Sequence, residues 1–344
     1  MPPERNGIAC AGNWIVDRVK IIDRLPGKGM LGNILSETLG SGGAPFNVLV
    51  DLAKMGAGFP LSGLGVTGRD SGADFIRSIC LPLKIDISGL VILENMATSY
   101  TDVMTDAETR IRIFYHYRGA NARFAPEHVH LNKLHSRIFH LGYLLLLDGM
   151  DQPDPDCGTV AAKLLKNVQE AGMKTSVDVV SEESDRFHKI VPAALPYTNY
   201  LILNEIEAGR TTGIKVRDGK GKLIPKGIVD SVDKLFKLGK MELVAVHMPE
   251  GVYLKTRDGK KYSQGSLDVP KNYIKGTVGA GDAFCAGMLY GLHEGWDAEK
   301  TLSLGSCAAA ACLSRPGATD GLLSLNKLIE LEDRFPQSDP PVPV

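Results

Sequence analysis

The sequence has no excess of either charge: 39 lysine and arginine side chains stand against 40 aspartate and glutamate side chains, spread along the chain. Nothing in that balance would collect nucleic acid or an anionic lipid surface, so the ligand is expected to be small. Paired cysteines are also missing. The six present, Cys10, Cys80, Cys157, Cys285, Cys307 and Cys312, form no CxxC and lie mostly in apolar surroundings, which argues for reduced, buried thiols rather than a disulfide or zinc framework. The longest aliphatic run, Leu144 to Leu147, is far too short to cross a bilayer, and the opening MPPERNGIAC lacks the apolar core of a signal peptide. A cytoplasmic protein with no membrane partner is the expectation. No internal repeat is visible. No GKS or GKT follows a glycine loop, which excludes a Walker site, and no GxGxxG follows an N-terminal strand.

What is present suits an α/β protein. The chain has 344 residues, 44% of them hydrophobic, enough for one large domain or two smaller ones. Short β-rich runs, KTSVDVV (Lys174 to Val180), YLILN (Tyr200 to Asn204) and LVAVH (Leu243 to His247), alternate with helix-period segments. That alternation predicts a mainly parallel sheet between helices. Helices are expected over Ala44 to Met55, Asp156 to Ala171, Ile228 to Leu238 and Asp282 to Glu294, each stopped by a glycine. Two segments break the pattern. WIVDRVKIID (Trp14 to Asp23) and TSYTDVMTDAETRIRIFYHY (Thr98 to Tyr117) alternate with period two and read as antiparallel strands, the second with a turn around Asp106 to Glu108. They suit a small sheet projecting from the main one, as a lid or as an ordinary edge hairpin. The proline-rich SDPPVPV reads as an unfolded tail.

The stretch with most chemistry is GTVGAGDAFCAG, Gly276 to Gly287. Its glycines permit positive φ and close backbone approach, and AFCAGMLYGL continues as a buried helix starting near Gly281 or Asp282. Free N–H groups and the helix dipole at that start make an anion site. A carboxylate there can take a proton from a hydroxyl attacking phosphorus, but Asp282 is equally at home as a plain N-cap, and the stretch alone leaves both open.

GTVGAGDAFCAG closely resembles the C-terminal signature of the ribokinase-like (PfkB) carbohydrate kinases, whose usual form is DTxGAGDxFxxG. SGGAPFNVLVDLAKMGAGFPLSGLGVTGRDSGADFI (Ser41 to Ile76) looks like the family's N-terminal signature, and NEIE (Asn204 to Glu207) like its NxxE motif. RGAN (Arg118 to Asn121) and RPGA (Arg315 to Ala318) fall in the expected order, so the resemblance spans about residues 7 to 330. It implies a ribokinase-like three-layer α/β/α fold with a mainly parallel central sheet. One kinase domain would cover 1–330, with lid strands from about 13–40 and 97–120, followed by a tail over 331–344.

The resemblance further implies ATP- and Mg²⁺-dependent phosphoryl transfer to a hydroxyl of a sugar or related polyol. Asp282 matches the catalytic base, and the amides of Gly279, Ala280 and Gly281 match the anion hole. Asp17, Gly42, Gly43, Asn47 and Arg118 match acceptor-binding positions; Asn204, Glu207, Thr277, Gly279, Gly281 and Gly317 match nucleotide-binding ones. Glu207 would hold Mg²⁺ through water. Read without the family, Asn204 and Glu207 form a helix capping box, Gly42 and Gly43 a loop before a helix, and Asp17 a solvated strand residue. The lid would close over the acceptor and exclude water, and its alternating Ile111, Ile113 and Tyr115 permit a homodimer. A nucleoside kinase of the same fold and a catalytically silent sugar- or nucleotide-binding paralogue are the alternatives.

Three departures stand out. Gly276 replaces the usual Asp of the signature, which puts a monovalent cation in doubt. SVDVVSEES (Ser176 to Ser184) keeps Asp178 but not the common DxN form, and HMPEGVY (His247 to Tyr253) replaces the frequent GxxG, which leaves nucleotide preference open. Arg110 and Arg112 share a face opposite Ile111 and Ile113 and are expected to point outward from an exposed sheet, and His116 beside them to serve packing. An inward guanidinium would instead favour an acidic or phosphorylated sugar.

Overall fold

A computed structural model describes residues 5–109, 111–181 and 185–344. In chain order the strands are β1 (Ile8–Gly12), β2 (Ile15–Ile22), β3 (Ile34–Gly42), β4 (Leu61–Thr67), β5 (Asp86–Ile92), β6 (Ser99–Asp106), β7 (Arg112–Tyr117), β8 (Ile138–Leu144), β9 (Pro153–Asp154), β10 (Gly158–Thr159), β11 (Lys174–Val179), β12 (Tyr200–Asn204), β13 (Leu243–Met248), β14 (Gly251–Thr256) and β15 (Lys261–Gly265). The helices are α1 (Ala44–Met55), α2 (Ser71–Cys80), α3 (Val160–Glu170), α4 (Phe187–Ala194), α5 (Glu205–Thr212), α6 (Pro225–Leu238), α7 (Ala280–Glu294), α8 (Ala298–Cys312) and α9 (Leu325–Arg334).

The large sheet has the order β15-β14-β13-β12-β11-β8-β1-β4-β5. It runs parallel from β13 to β5 and ends in the antiparallel β13–β14–β15 meander. Alternate side chains of each strand feed opposite layers: Ile8 and Cys10 pack with α1, α2, α7, α8 and α9, whereas Ala9 and Ala11 pack with α3 to α6. Buried on both faces, such strands read as continuous apolar runs, as YLILN does. This is the expected ribokinase-like α/β architecture, with helices on both sides of a mainly parallel sheet.

Local chemistry sets the helix ends. α1 and α7 stop at Gly56 and Gly295, both left-handed, with their N–H groups returning to helix carbonyls. α3 starts at Val160 rather than Asp156, because Thr159 is its N-cap and accepts from the Ala162 N–H, while Asp154 holds a turn before it.

The second sheet has the order β3-β2-β6-β7. Its β2–β3 and β6–β7 pairs are antiparallel and joined by turns, with Asp106 accepting from the Glu108 and Thr109 N–H groups at the second. β2 and β6, however, pair parallel. The two period-two segments are therefore not antiparallel partners of each other: the first is one arm of the β2–β3 hairpin, the second is the whole β6–β7 hairpin, and α1, β4, α2 and β5 form the crossover between them. Cross-strand register puts Asp17, Thr101 and His116 on one face, and Arg112, opposite Thr105, shares it. That corrects the outward placement of Arg112, since Asp17 points towards Asp282 and the cleft described below. Arg110, and Glu182 to Ser184 of the SVDVVSEES segment, lie outside the described residues.

The C-terminal segment is not an unfolded tail. α9 runs across the expected boundary to Arg334, Gln337 bridges to Leu267, the Ser338 N–H donates to the Ser266 carbonyl, and Val342 is fully buried. Proline removes donors without preventing packing, and the strand edge near β15 supplies the partners.

Candidate active site

The carboxyl ends of β1, β8, β11, β12 and β13 converge with the N-terminus of α7, where ligands of open α/β sheets bind. Gly279 is the N-cap of α7, with φ +82°, and makes no side-chain cap. Its place is enforced by the RPGA loop, because a Cβ there would lie 2.3 Å from the Ala318 carbonyl oxygen. Asp282 is thus the third residue of the helix, not its cap. Its carboxylate is engaged by Asn47 and Tyr143 rather than by helix amides, and Ala280 and Gly281 line the cleft.

Asp282 is 6% exposed. Asn47 Nδ2 donates to its Oδ2 at 2.7 Å, and the Tyr143 hydroxyl donates to Oδ1 at 2.7 Å and Oδ2 at 2.9 Å. Burial raises its pKa above the ordinary carboxylate range, and the two donors oppose that rise. Asp17 is held up at about 7, mainly by burial, with Thr101 opposing and the Asp282 charge adding to it. The Asp17 carboxylate presses on Gly42: a Cβ there would lie 2.5 Å from Asp17 Oδ1. Gly43, φ +86°, caps α1 and passes 2.1 Å, by the same measure, from the Asn13 carbonyl oxygen. The glycine pair is therefore required by close packing, and Asp17 is not a solvated strand residue.

On the far side, Asn204 and Glu207 form a complete capping box at the start of α5. Glu207 Oε2 takes the Asn204 N–H at 3.0 Å and Oε1 takes the Ser181 hydroxyl at 2.7 Å. Burial pushes the Glu207 carboxyl up to about 7, and Asp178, buried and facing the charges of Glu207 and Asp282, titrates well above the usual range. Three carboxyl groups thus crowd one cavity of about 210 Å³, lined also by Tyr143, His247, Gly279, Gly281 and Cys285. Among the described residues no three acidic, histidine or cysteine side chains close directly around one point. A second cavity of about 640 Å³ is lined by Thr277, Ala280, Phe284, Val269, Ile274 and others. Asn204, His247 and Gly281 line both, so the two spaces meet at the start of α7.

Not every expected residue lines a cavity. Arg118 is paired with Asp148 at 2.7 Å, near His116, whose pKa falls to about 4 through burial and then the Arg118 charge. Gly317 lies in the RPGA loop beside Ala318, which packs on Gly279, and a Cβ at Gly317 would meet the Asp320 carboxylate at 2.3 Å. Asn121 of RGAN is structural, exchanging hydrogen bonds with both the N–H and the carbonyl of Trp14. Tyr143 and His247 were passed over in the sequence. Their signal was position, since both sit at the carboxyl ends of strands bordering the site.

Comparison with known proteins identifies the family and the fold. A model described as pfkB family carbohydrate kinase matches residues 5–325. A 5-dehydro-2-deoxygluconokinase of Shouchella clausii is 24% identical over 295 residues, covering 83% of this chain and 84% of that protein. Arabidopsis thaliana ribokinase, solved with ribose and ATP, superposes with a TM-score of 0.77 at 21% identity, covering 95% of this chain and 98% of that one. A putative ribokinase II from E. coli, solved with ATP and Mg²⁺, gives 0.74 at 18% identity, covering 95% and 99%. Among the described residues no helix is long and apolar enough to cross a membrane.

Proposed function

Because the chain belongs to the pfkB family of carbohydrate kinases, we propose that it transfers the γ-phosphoryl group of ATP to a sugar hydroxyl, with Asp282 as general base. The observation that carries this reading is that cavities of about 210 and 640 Å³ meet at a helix N-terminus, where the buried Asp282 carboxylate lines the smaller one and is held from α1 by Asn47. The acceptor hydroxyl loses its proton to Asp282 as its oxygen attacks γ-phosphorus, and ADP departs into the larger cavity. The amides of Gly279, Ala280 and Gly281 receive the charge that develops on the transferring oxygens. Thr277 borders the nucleotide, and Gly317 supports the loop behind it. Asp17, Asn47 and the close backbone of Gly42 and Gly43 bind acceptor hydroxyls.

The donor set fits Mg²⁺. Asp178, Glu207 and Asp282 crowd together with raised pKa values, which a divalent cation would relieve. Glu207, with both oxygens already engaged, would hold it through water. When bound, the ion neutralises charge on the phosphate oxygens. A monovalent cation is not part of this reading: Gly276 has no carboxylate to offer, and a Cβ there would come within 2.9 Å of the Pro316 carbonyl oxygen.

For the acceptor, a sugar acid is favoured over a nucleoside. Arg112 shares the Asp17 face of the lid, whereas Arg118 is already paired with Asp148, so Arg112 is the guanidinium on that face that an acceptor carboxylate would meet. ADP release should therefore be screened with 5-dehydro-2-deoxygluconate, ribose, fructose and nucleosides. Stimulation by a sugar supports the kinase, stimulation by nucleosides alone redirects it, and none in the whole set favours a silent binding protein. The other face of the lid exposes Leu39, Tyr115 and Tyr117, which suits a homodimer through the lids. A monomeric mass by light scattering at working concentration would refute that assembly.

A further inference from the structure

The Tyr143 hydroxyl lies almost equidistant from both Asp282 oxygens, at 2.7 and 2.9 Å, so it sits in the notch between them. Asn47 already takes a second direction at Oδ2. A hydroxyl that is to give up its proton to this carboxylate needs a lone pair there, and Tyr143 and Asn47 between them already engage both oxygens. Tyr143 comes from the end of β8, 139 residues from Asp282, and its own backbone is fixed by donation of its N–H to Asn13 Oδ1 at 2.6 Å. The ring borders the cavity of about 210 Å³, which gives it space to turn.

We infer that Tyr143 is a competing hydroxyl for the base: it occupies the notch that an acceptor hydroxyl takes, and the acceptor must displace it. The inference rests on Asp282 being the base. Its consequence is control of the nucleophile. With Tyr143 in the notch a water molecule cannot occupy it, so Asp282 does not activate water against ATP. An acceptor with several contacts in the cleft displaces the phenol, whereas water, with one or two, does not. Replacing the phenol by phenyl leaves space for a water that donates to Asp282. That water attacks γ-phosphorus, its proton passes to the carboxylate, and ADP and inorganic phosphate result.

The test uses the full chain with ATP and Mg²⁺ and no acceptor. Tyr143→Phe should raise phosphate release about tenfold over the parent, and should lower KM for whichever acceptor the ADP-release screen identifies. The double variant Tyr143→Phe/Asp282→Asn should lose the gain. Unchanged or slower phosphate release in Tyr143→Phe, with a melting temperature near that of the parent, overturns the inference. A merely structural tyrosine would give that result, because loosening the base lowers turnover and does not create hydrolysis. Failure of the base assignment shows separately, as undiminished acceptor-dependent turnover in Asp282→Asn with Tyr143 in place.

Discussion

Gly279→Ala isolates the anion hole from the base. Gly279 sits at φ +82°, where an L-residue costs about 1–2 kcal/mol. The larger effect is steric. An added Cβ would lie 2.3 Å from the Ala318 carbonyl oxygen and 2.6 Å from Ala318 Cα, both backbone atoms that cannot rotate away. Ordinary contact begins near 3.4 Å, so the RPGA loop or the start of α7 must move by about 1 Å. Catalytic donors must be held to within about 0.5 Å, and loss of such a donor costs about 10²–10³ in kcat. Gly295→Ala is the control: it is left-handed too, with φ +69°, but an added Cβ meets nothing within 4 Å. Steady-state ADP release and thermal melting of both variants read the outcome. Gly295→Ala should lose about 1–2 kcal/mol of stability from backbone strain, Gly279→Ala should lose more because of the clash with Ala318, and only Gly279→Ala should lose turnover. Gly279→Ala with kcat within threefold of the parent would refute the placement of the anion hole.

Turnover should be the same within about twofold in potassium, sodium or a bulky organic cation at constant ionic strength, because Gly276 offers no ligand; clear stimulation by K⁺ in a salt series would show a site built differently. Asp51 of α1 is fully buried, with neither carboxyl oxygen hydrogen-bonded, and burial, reinforced by Asp282 and opposed by Lys54, holds its pKa well above 3.8. A raised carboxyl pKa means that its contribution to stability is complete below the ordinary range and is lost as pH rises through the folded value, with a slope of up to about 1.4 kcal/mol per pH unit. Melting temperatures of Asp51→Asn should therefore fall less between pH 5 and pH 9 than those of the parent, and parallel curves would show that Asp51 does not titrate as the burial implies.

The parallel sheet was legible because strands buried on both faces leave apolar runs such as YLILN, and α1 and α7 because glycine at a left-handed stop marks a boundary. α3 was extended too far: Thr159 caps it only because Asp154 turns the chain first, a side-chain competition that periodicity does not register. The pairing of β2 with β6 was hidden for a different reason. Alternation reveals which residues share a face but not which strand lies alongside, and the direction here is set by a crossover through α1, β4, α2 and β5. Asp282 could be picked out from its glycines, yet its partners Asn47 and Tyr143 lie 235 and 139 residues away, where no local pattern links them. Asn204 and Glu207 were ambiguous between cap and cofactor ligand. Their geometry is that of a cap, whose buried carboxylate is also positioned beside the cavity.

Single-turnover phosphoryl transfer by Asp282→Asn addresses the central claim most directly. With ATP, Mg²⁺ and the identified acceptor in excess over their binding constants, the rate should fall by about 10²–10⁴ while both ligands still bind within about tenfold of the parent. Transfer within tenfold of the parent rate would mean that the carboxylate at the start of α7 does not take the proton.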